Sequence, residues 1–99
     1  MKKLVVAKAT REDLQDIAAY TEQRWGTAQR RRYLDEIKTR FAQLREHPGL
    51  GAPRDEIRAG YRSTLSGRHV IFYRETTDSI EIIRVLHDTM DVHSHLDSS

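Results

Sequence analysis

The sequence predicts a small α+β domain: an N-terminal strand, an antiparallel helix hairpin, a three-stranded antiparallel meander and a short C-terminal tail. Three observations support this prediction. Apolar residues recur at helical spacing in the first half of the chain, and β-branched apolar runs fill most of the second half. A segment that contains both prolines separates the two halves. With 99 residues, we expect one domain over 1–99, with the tail beginning near residue 88.

Residues 3–8 predict the first strand, because a short apolar, β-branched run is bounded there by lysines. Thr10 is predicted to cap the first helix, and Gly26 to end it. The apolar face of this helix recurs every three or four residues and comprises Leu14, Ile17, Ala18, Thr21 and Trp25.

Thr27 is predicted to cap a second helix, which Pro48 terminates because the residue before a proline is disfavoured in helical conformation. Its core-facing stripe is predicted to contain Leu34, Ile37, Phe41 and Leu44, with Tyr33 beside it. Only Gly26 separates the helices, which predicts an antiparallel hairpin. The segment 48–60 is predicted to be a loop, with Leu50 and Ile57 packed against the core.

The meander is predicted over residues 61–65, 69–74 and 80–87, with turns at Ser66-Gly67 and near residues 76–79. Its last two strands are nearly continuously apolar, so we expect both faces of a four-stranded sheet to be partly covered. In the polar tail, Met90, Val92 and Leu96 are the apolar anchors.

Composition excludes several classes of protein. Hydrophobic residues make up 37% and charged residues 32%, and no apolar run approaches the roughly 18 residues of a membrane span. The absence of cysteine excludes disulfide scaffolds, thiol nucleophiles and cysteine-bound metals. The basic and apolar start is far shorter than a secretory signal, so we expect a cytoplasmic protein without membrane contact.

The charge balance says less about function than the composition does. The chain has 17 Lys and Arg against 15 Asp and Glu, a net charge of +2, which does not by itself predict nucleic-acid binding. Arg30, Arg31 and Arg32 point in different directions on a helix and are expected to pair with nearby acids. Arginines of the meander either pair with carboxylates, for which Glu81 and Asp55 are candidates, or line a groove for an anionic partner.

Metal and cofactor sites have little support. His87, His93 and His95 are the candidate metal ligands, but two of them lie in the polar tail, where solvated histidines are the simpler interpretation. The chain contains no phosphate-binding glycine loop, dinucleotide fingerprint, zincin helix or nucleophile elbow. We therefore expect no metal and no cofactor.

Taken together in order, the residues resemble the ParE branch of the RelE/ParE toxins of bacterial toxin–antitoxin modules. The resemblance extends from about Leu4 to Leu96 and depends on the ordered set rather than on one motif. The matching residues are Asp16-Ile17, Tyr20, Arg24-Trp25-Gly26, Tyr33, Leu44, Pro48, Leu50-Gly51, 53–58, Gly60, Arg62-Ser63, Gly67, 69–74, 80–82, 84–87 and Met90-Asp91.

The resemblance implies a hetero-oligomer with a cognate ParD-like antitoxin, whose N-terminus is a ribbon-helix-helix and whose C-terminal segment wraps the toxin. It implies DNA gyrase as the target, with no sequence-specific nucleic-acid binding. The residues expected to bind the antitoxin are Tyr20, Trp25, Arg58, Arg62, Arg74 and Arg84. The residues expected to bind the target are Met90, Asp91, Val92 and Leu96.

Two alternatives stay open: a ribosome-dependent mRNA interferase of the RelE type, and a non-toxic member that binds an antitoxin. An interferase needs groups that activate the 2′-hydroxyl, neutralise the phosphate and protonate the leaving oxygen. Arg62, Arg68 and His87 are the candidates for such a set. No tyrosine follows Tyr73 and the tail is acidic, so we expect no catalytic residues.

Overall fold

The computed structural model describes residues 2–96. One sheet is covered by a helix hairpin on one face and by a short C-terminal helix on the other. The elements in chain order are β1 (Lys3–Val6), α1 (Lys8–Trp25), α2 (Thr27–Glu46), a 3₁₀ turn (Pro48–Leu50), β2 (Ala52–Pro53), β3 (Tyr61–Ser66), β4 (His69–Glu75), β5 (Ser79–His87) and α3 (Val92–Leu96).

Within the described residues the sheet has five strands in the order β1-β5-β4-β3-β2, one more than predicted. The additional strand, β2, lies in the segment that was predicted to be a loop and pairs antiparallel with β3. Pro53 is compatible with this position, because an edge strand leaves one row of amides unpaired. β1 pairs parallel with β5, and the other pairs are antiparallel. The predicted α+β class and the meander are confirmed.

The main core lies between the hairpin and the sheet. Its fully buried members include Ile37 and Leu44 of α2 and Ile71, Ile80 and Ile82 of the central strands, and Phe41 is 3% exposed. The spacing of Ile37, Phe41 and Leu44 places all three on one side of α2, as the sequence predicted.

A smaller core lies on the opposite face of the sheet, where Phe72, Leu86 and Leu96 are buried together. The partly buried side chains around them are Ile57, Val70, Ile83 and Val92. This second cluster explains the continuous apolar runs of β4 and β5, because neighbouring residues of a strand serve opposite faces.

Four local predictions about the helices and the loop were wrong. α1 begins earlier, with Ala7 as its capping residue, and Thr10 is buried inside the helix, where its hydroxyl donates to the Ile82 carbonyl at 3.0 Å. The Thr27 hydroxyl bonds Glu22 and does not cap α2. Trp25 and Leu50 are 68% and 47% exposed, because each lies at the end of its element, beyond the core. Ile57 does pack on the second core, as predicted.

No helix within residues 2–96 is both long and apolar enough to cross a membrane.

Candidate functional site

The end of the sheet nearest the middle of α1 carries two histidines that face each other. His69 begins β4, His87 ends β5, and the two are direct register partners. Their rings meet edge to face, with centroids 5.3 Å apart. The Tyr33 hydroxyl of α2 lies 2.6 Å from Nδ1 of His69 and accepts the backbone N–H of Arg68 at 3.0 Å. We call Tyr33, His69 and His87 the histidine cluster.

The surroundings of His69 and Tyr33 favour the neutral form of both side chains. Burial, and then the neighbouring His87, lower the pKa of His69 below its usual value. Burial raises the pKa of Tyr33. The Tyr33 hydroxyl donates to the Ser66 carbonyl at 3.2 Å and is also hydrogen-bonded to Nδ1 of His69, which fixes the imidazole ring and holds the β3–β4 turn against α2. Nδ1 of His87 accepts the backbone N–H of Thr89 at 3.2 Å.

A cleft of about 420 Å³ opens between α1 and this end of the sheet. We call it the α1–β5 cleft. Ile17, which is buried, lies at its base, and Tyr20 and Met90 are 57% and 46% exposed at its rim. The residues that line it are Asp16, Ile17, Tyr20, His69, His87, Thr89 and Met90. The structure thus brings together Tyr20, predicted to bind the antitoxin, and Met90, predicted to bind the target.

The sheet arginines differ in how far they are engaged within the chain. Arg84 makes two hydrogen bonds of 2.8 Å to the carboxylate of Asp13, and these hydrogen bonds raise its pKa. Arg74 pairs with Glu81 at 3.2 Å, one of the two carboxylates that the sequence suggested. The other candidate, Asp55, accepts the backbone N–H of Gly60 instead.

Arg62 donates to the carbonyl of Gly51, so it anchors the segment before β2 to β3. Arg58 is exposed, and within residues 2–96 its guanidinium has neither an ion pair nor a hydrogen bond. Six residues were predicted to bind an antitoxin. Tyr20, Trp25 and Arg58 are exposed and form no ion pair within residues 2–96. Arg62 and Arg74 each have one partner within the chain, and Arg84 is paired with Asp13.

Comparison with known proteins identifies the family. The family model for the ParE toxin of the type II toxin–antitoxin system parDE matches residues 4–92. Toxin ParE1 of Caulobacter vibrioides is 45% identical over 96 residues, which cover 97% of this chain and 99% of that protein. Toxin ParE1 of Mycobacterium tuberculosis is 38% identical over 93 residues, with 93% and 95% coverage. This chain belongs to the ParE toxin family.

A solved structure supports the fold independently. The structure is described as the chromosomal ParDE toxin–antitoxin system from P. aeruginosa, and it superposes with a TM-score of 0.77. The match covers 88% of this chain and 96% of that chain at 19% sequence identity, so it shows the same fold.

In this ParE-family chain, the three residues considered for an mRNA interferase do not converge. Arg62 lies near the start of β3 and Arg68 lies in the turn after it, so about 13 Å of extended strand and the turn itself separate them. Nε of Arg68 pairs with Asp88 at 3.0 Å, beside His87. Arg68 and His87 thus share one end of the sheet, whereas Arg62 lies at the other.

The four tail residues predicted to bind the target also separate. Leu96 is 2% exposed and packs on Phe72 and Leu86, with Val92 partly buried beside it. Met90 and Asp91 are exposed in the turn that precedes α3. Of the four, only Met90 and Asp91 are available to a partner in this conformation, because α3 uses its apolar residues to cover the sheet.

No metal site was predicted for this ParE-family chain, and within residues 2–96 no group of three or more histidine and carboxylate side chains is arranged to hold a metal ion. His87 ends β5, whereas His93 and His95 lie in α3.

Two site features were missed from the sequence. Asp13 was not recognised as the partner of Arg84, and Tyr33 was not recognised as the partner of His69. The signal for Asp13 was its position: it lies three residues after Thr10 and four before Ile17, on the buried face of α1. A carboxylate on such a face requires a buried partner.

Proposed function

We propose that this ParE-family toxin inhibits growth in the cytoplasm by poisoning DNA gyrase, and that a ParD-like antitoxin with a ribbon-helix-helix N-terminus neutralises it in a hetero-oligomer. The observation that supports this proposal is the family match, which spans residues 4–92 and is accompanied by relatives named ParE toxins that align over nearly their whole length. No cofactor is needed, because the activity is inhibition by binding.

The separation of Arg62 from His87 supports a binding mechanism over RNA cleavage. An interferase must place its phosphate-neutralising and proton-transferring groups around one scissile bond. Arg62 is engaged with Gly51, and Arg68 is paired with Asp88. Within residues 2–96, the candidate set Arg62, Arg68 and His87 therefore does not assemble around one point.

The surface that we propose for the antitoxin combines the exposed aromatic side chains of α1 with the arginines of the sheet. Tyr20 and Trp25 offer apolar anchors, and Arg58, Arg62 and Arg74 offer cationic ones for an acidic segment. Arg84 is paired with Asp13, so its role is to fix the shape of this surface and not to bind the antitoxin as a free cation.

A supercoiling and DNA-cleavage assay with purified gyrase tests the proposed target, run beside an in-vitro translation assay that reports mRNA cleavage. The wild type should block supercoiling or trap cleaved DNA and leave mRNA intact. His87→Gln should retain this inhibition, because it loses about the value of one hydrogen bond, roughly 1 kcal/mol. A nuclease that uses His87 as acid or base would instead lose about 100- to 10,000-fold in rate.

Wild-type mRNA cleavage that His87→Gln abolishes would replace the gyrase proposal with the interferase. The antitoxin is tested separately, by co-purification with the product of a neighbouring gene. The complex should persist at physiological salt, and clean separation there would contradict the proposed neutralisation.

A further inference from the structure

The α1–β5 cleft combines an apolar lining with one unpaired carboxylate. Ile17, Tyr20 and Met90 provide apolar surface, and Tyr20 and Met90 are more exposed than side chains of their size usually are. Asp16 lines the same cleft, and in the described part of the chain its carboxylate has no hydrogen bond or ion pair. An exposed apolar cleft of this kind marks a binding site rather than a packing defect.

Several other charged and polar groups around the cleft already have partners within the chain. Arg24 lies over the ring of Tyr20, with 5.6 Å between its guanidinium carbon and the ring centroid. Arg68 pairs with Asp88. Nδ1 of His69 is hydrogen-bonded to the Tyr33 hydroxyl, and Nδ1 of His87 accepts the backbone N–H of Thr89. Asp16 is the carboxylate of the cleft lining, and within residues 2–96 its charge has no partner, so a cationic ligand can neutralise it.

We propose that the α1–β5 cleft receives an arginine side chain of the target protein, with its guanidinium on Asp16 and its stem against Tyr20 and Met90. This inference depends on the proposed function, since it names the contact through which the target is held. Arginine fits better than lysine because its planar fork matches a carboxylate and stacks on aromatic rings. Arginine is also among the residues that most often dominate binding energy at interfaces.

The volume of the cleft agrees with such an occupant. About 420 Å³ falls in the range of roughly 300–1,000 Å³ of small-ligand pockets, enough for one long side chain with its flanking backbone.

Charge distinguishes the target from the antitoxin as the occupant. The proposed antitoxin surface carries Arg58, Arg62 and Arg74 and so selects an acidic segment, whereas Asp16 selects a cation. Asp91, next to Met90, carries another carboxylate, but it already accepts the His93 backbone N–H and the Ser94 hydroxyl, so Asp16 is the carboxylate that the proposal assigns to the cation. The two proposed surfaces therefore differ in charge, although they share the exposed ring of Tyr20.

The test compares Asp16→Asn, which removes the charge and preserves the shape, with Asp35→Asn, which does the same on α2 outside the cleft. Inhibition of purified gyrase and growth inhibition in cells are measured, with antitoxin co-purification and the denaturation midpoint measured in parallel. For Asp16→Asn, the concentration for half-inhibition should rise about 10- to 100-fold, the value of a charged hydrogen bond. Asp35→Asn should match the wild type, and both should retain the antitoxin.

A second variant, Met90→Ala, removes an exposed side chain without touching the core and should weaken inhibition in the same direction. Wild-type inhibition by both cleft variants would overturn the arginine-binding cleft and leave the gyrase proposal standing. Loss of antitoxin capture by Asp16→Asn would also overturn it, by assigning the cleft to the antitoxin. A third outcome is that the wild type blocks growth without affecting gyrase, and that Asp16→Asn does not block growth. This outcome would support the arginine-binding cleft and show that gyrase is the wrong target. A wild type inactive in both assays overturns both proposals.

Discussion

Asp13 and Arg84 lie 71 residues apart in the sequence and form a two-hydrogen-bond ion pair, each bond 2.8 Å long, that joins α1 to β5. The same carboxylate accepts the backbone N–H of Val85 at 3.0 Å. β1 covers the edge of β5 only as far as Ile82, so beyond that point side chains of α1 replace the missing strand. Thr10 bonds the Ile82 carbonyl and Asp13 the Val85 amide, one turn apart on the helix.

Replacing Asp13 with alanine should destabilise the fold by about 3 kcal/mol, because it leaves a partly buried guanidinium and a strand amide without their partner. The Asp13 side chain is 9% exposed and that of Arg84 is 21% exposed. Arg74→Ala is the matched control, because it breaks an arginine–carboxylate pair whose side chains are 47% and 31% exposed, and it should cost less than about 1 kcal/mol. Urea denaturation measures both, and equal effects would contradict a structural role for the Asp13–Arg84 pair.

Phe41→Ala should cost about 3–5 kcal/mol, because the side chain is 3% exposed at the centre of the hairpin–sheet core. Leu65→Ala removes an apolar side chain that is 60% exposed and should change stability by less than about 0.5 kcal/mol. Denaturant midpoints at equal m-values give the comparison. An unchanged midpoint for Phe41→Ala would mean that α2 presents a different face to the sheet.

The sequence predicted the fold class and the buried face of α2 because both depend on local periodicity. The spacing of residues such as Ile37 and Leu44 shows that periodicity directly. The β2 strand was missed because two residues carry no periodicity and pair only once β3 is in place. Tyr20 and Met90, which line the cleft, were predicted from the family resemblance to bind two different partners, but their proximity was not predicted. That proximity arises from tertiary packing of elements about 70 residues apart, which no local pattern encodes.

Gly51→Ala should destabilise the chain by about 1–3 kcal/mol through crowding alone. The backbone there is ordinary, with φ −81°, but a Cβ would lie 2.6 Å from the Ser63 carbonyl oxygen and 2.6 Å from the Tyr73 hydroxyl. The Ser63 oxygen belongs to a paired strand and cannot move freely. Gly49→Ala, two residues earlier, meets nothing within 4 Å and should be nearly neutral. Thermal unfolding of the two variants separates crowding from a general intolerance of this segment to side chains.

Truncation after Asp88 should destabilise the fold, because it uncovers Phe72 and Leu86, on which Leu96 packs. Leu96→Ala isolates this effect and should cost about 2–4 kcal/mol, since the side chain is 2% exposed in the second core. Met90→Ala should leave stability within about 0.5 kcal/mol, because Met90 is 46% exposed. Chemical denaturation decides between the roles: a costly Met90→Ala with a neutral Leu96→Ala would reverse the assignment of core and surface.

His69 should make the stability of the protein fall at mildly acidic pH. Its pKa is lowered in the folded state by burial and by His87, while Asp88 and Asp13 oppose the shift. Below the unfolded-state value of 6.5, the unfolded chain therefore binds a proton that the folded chain does not. This contribution to stability is fully present above pH 6.5 and is lost as the pH falls towards the folded pKa, by at most about 1.4 kcal/mol per pH unit. His69→Asn keeps a side chain that can form a hydrogen bond with Tyr33 but cannot titrate, so its free energy of unfolding should vary less between pH 7.5 and pH 5.5. His47→Asn, at the exposed end of α2, is the control and should follow the wild type. Urea denaturation at the two pH values measures the difference, and identical pH dependence in the wild type and His69→Asn would show that protonation of His69 is not linked to folding.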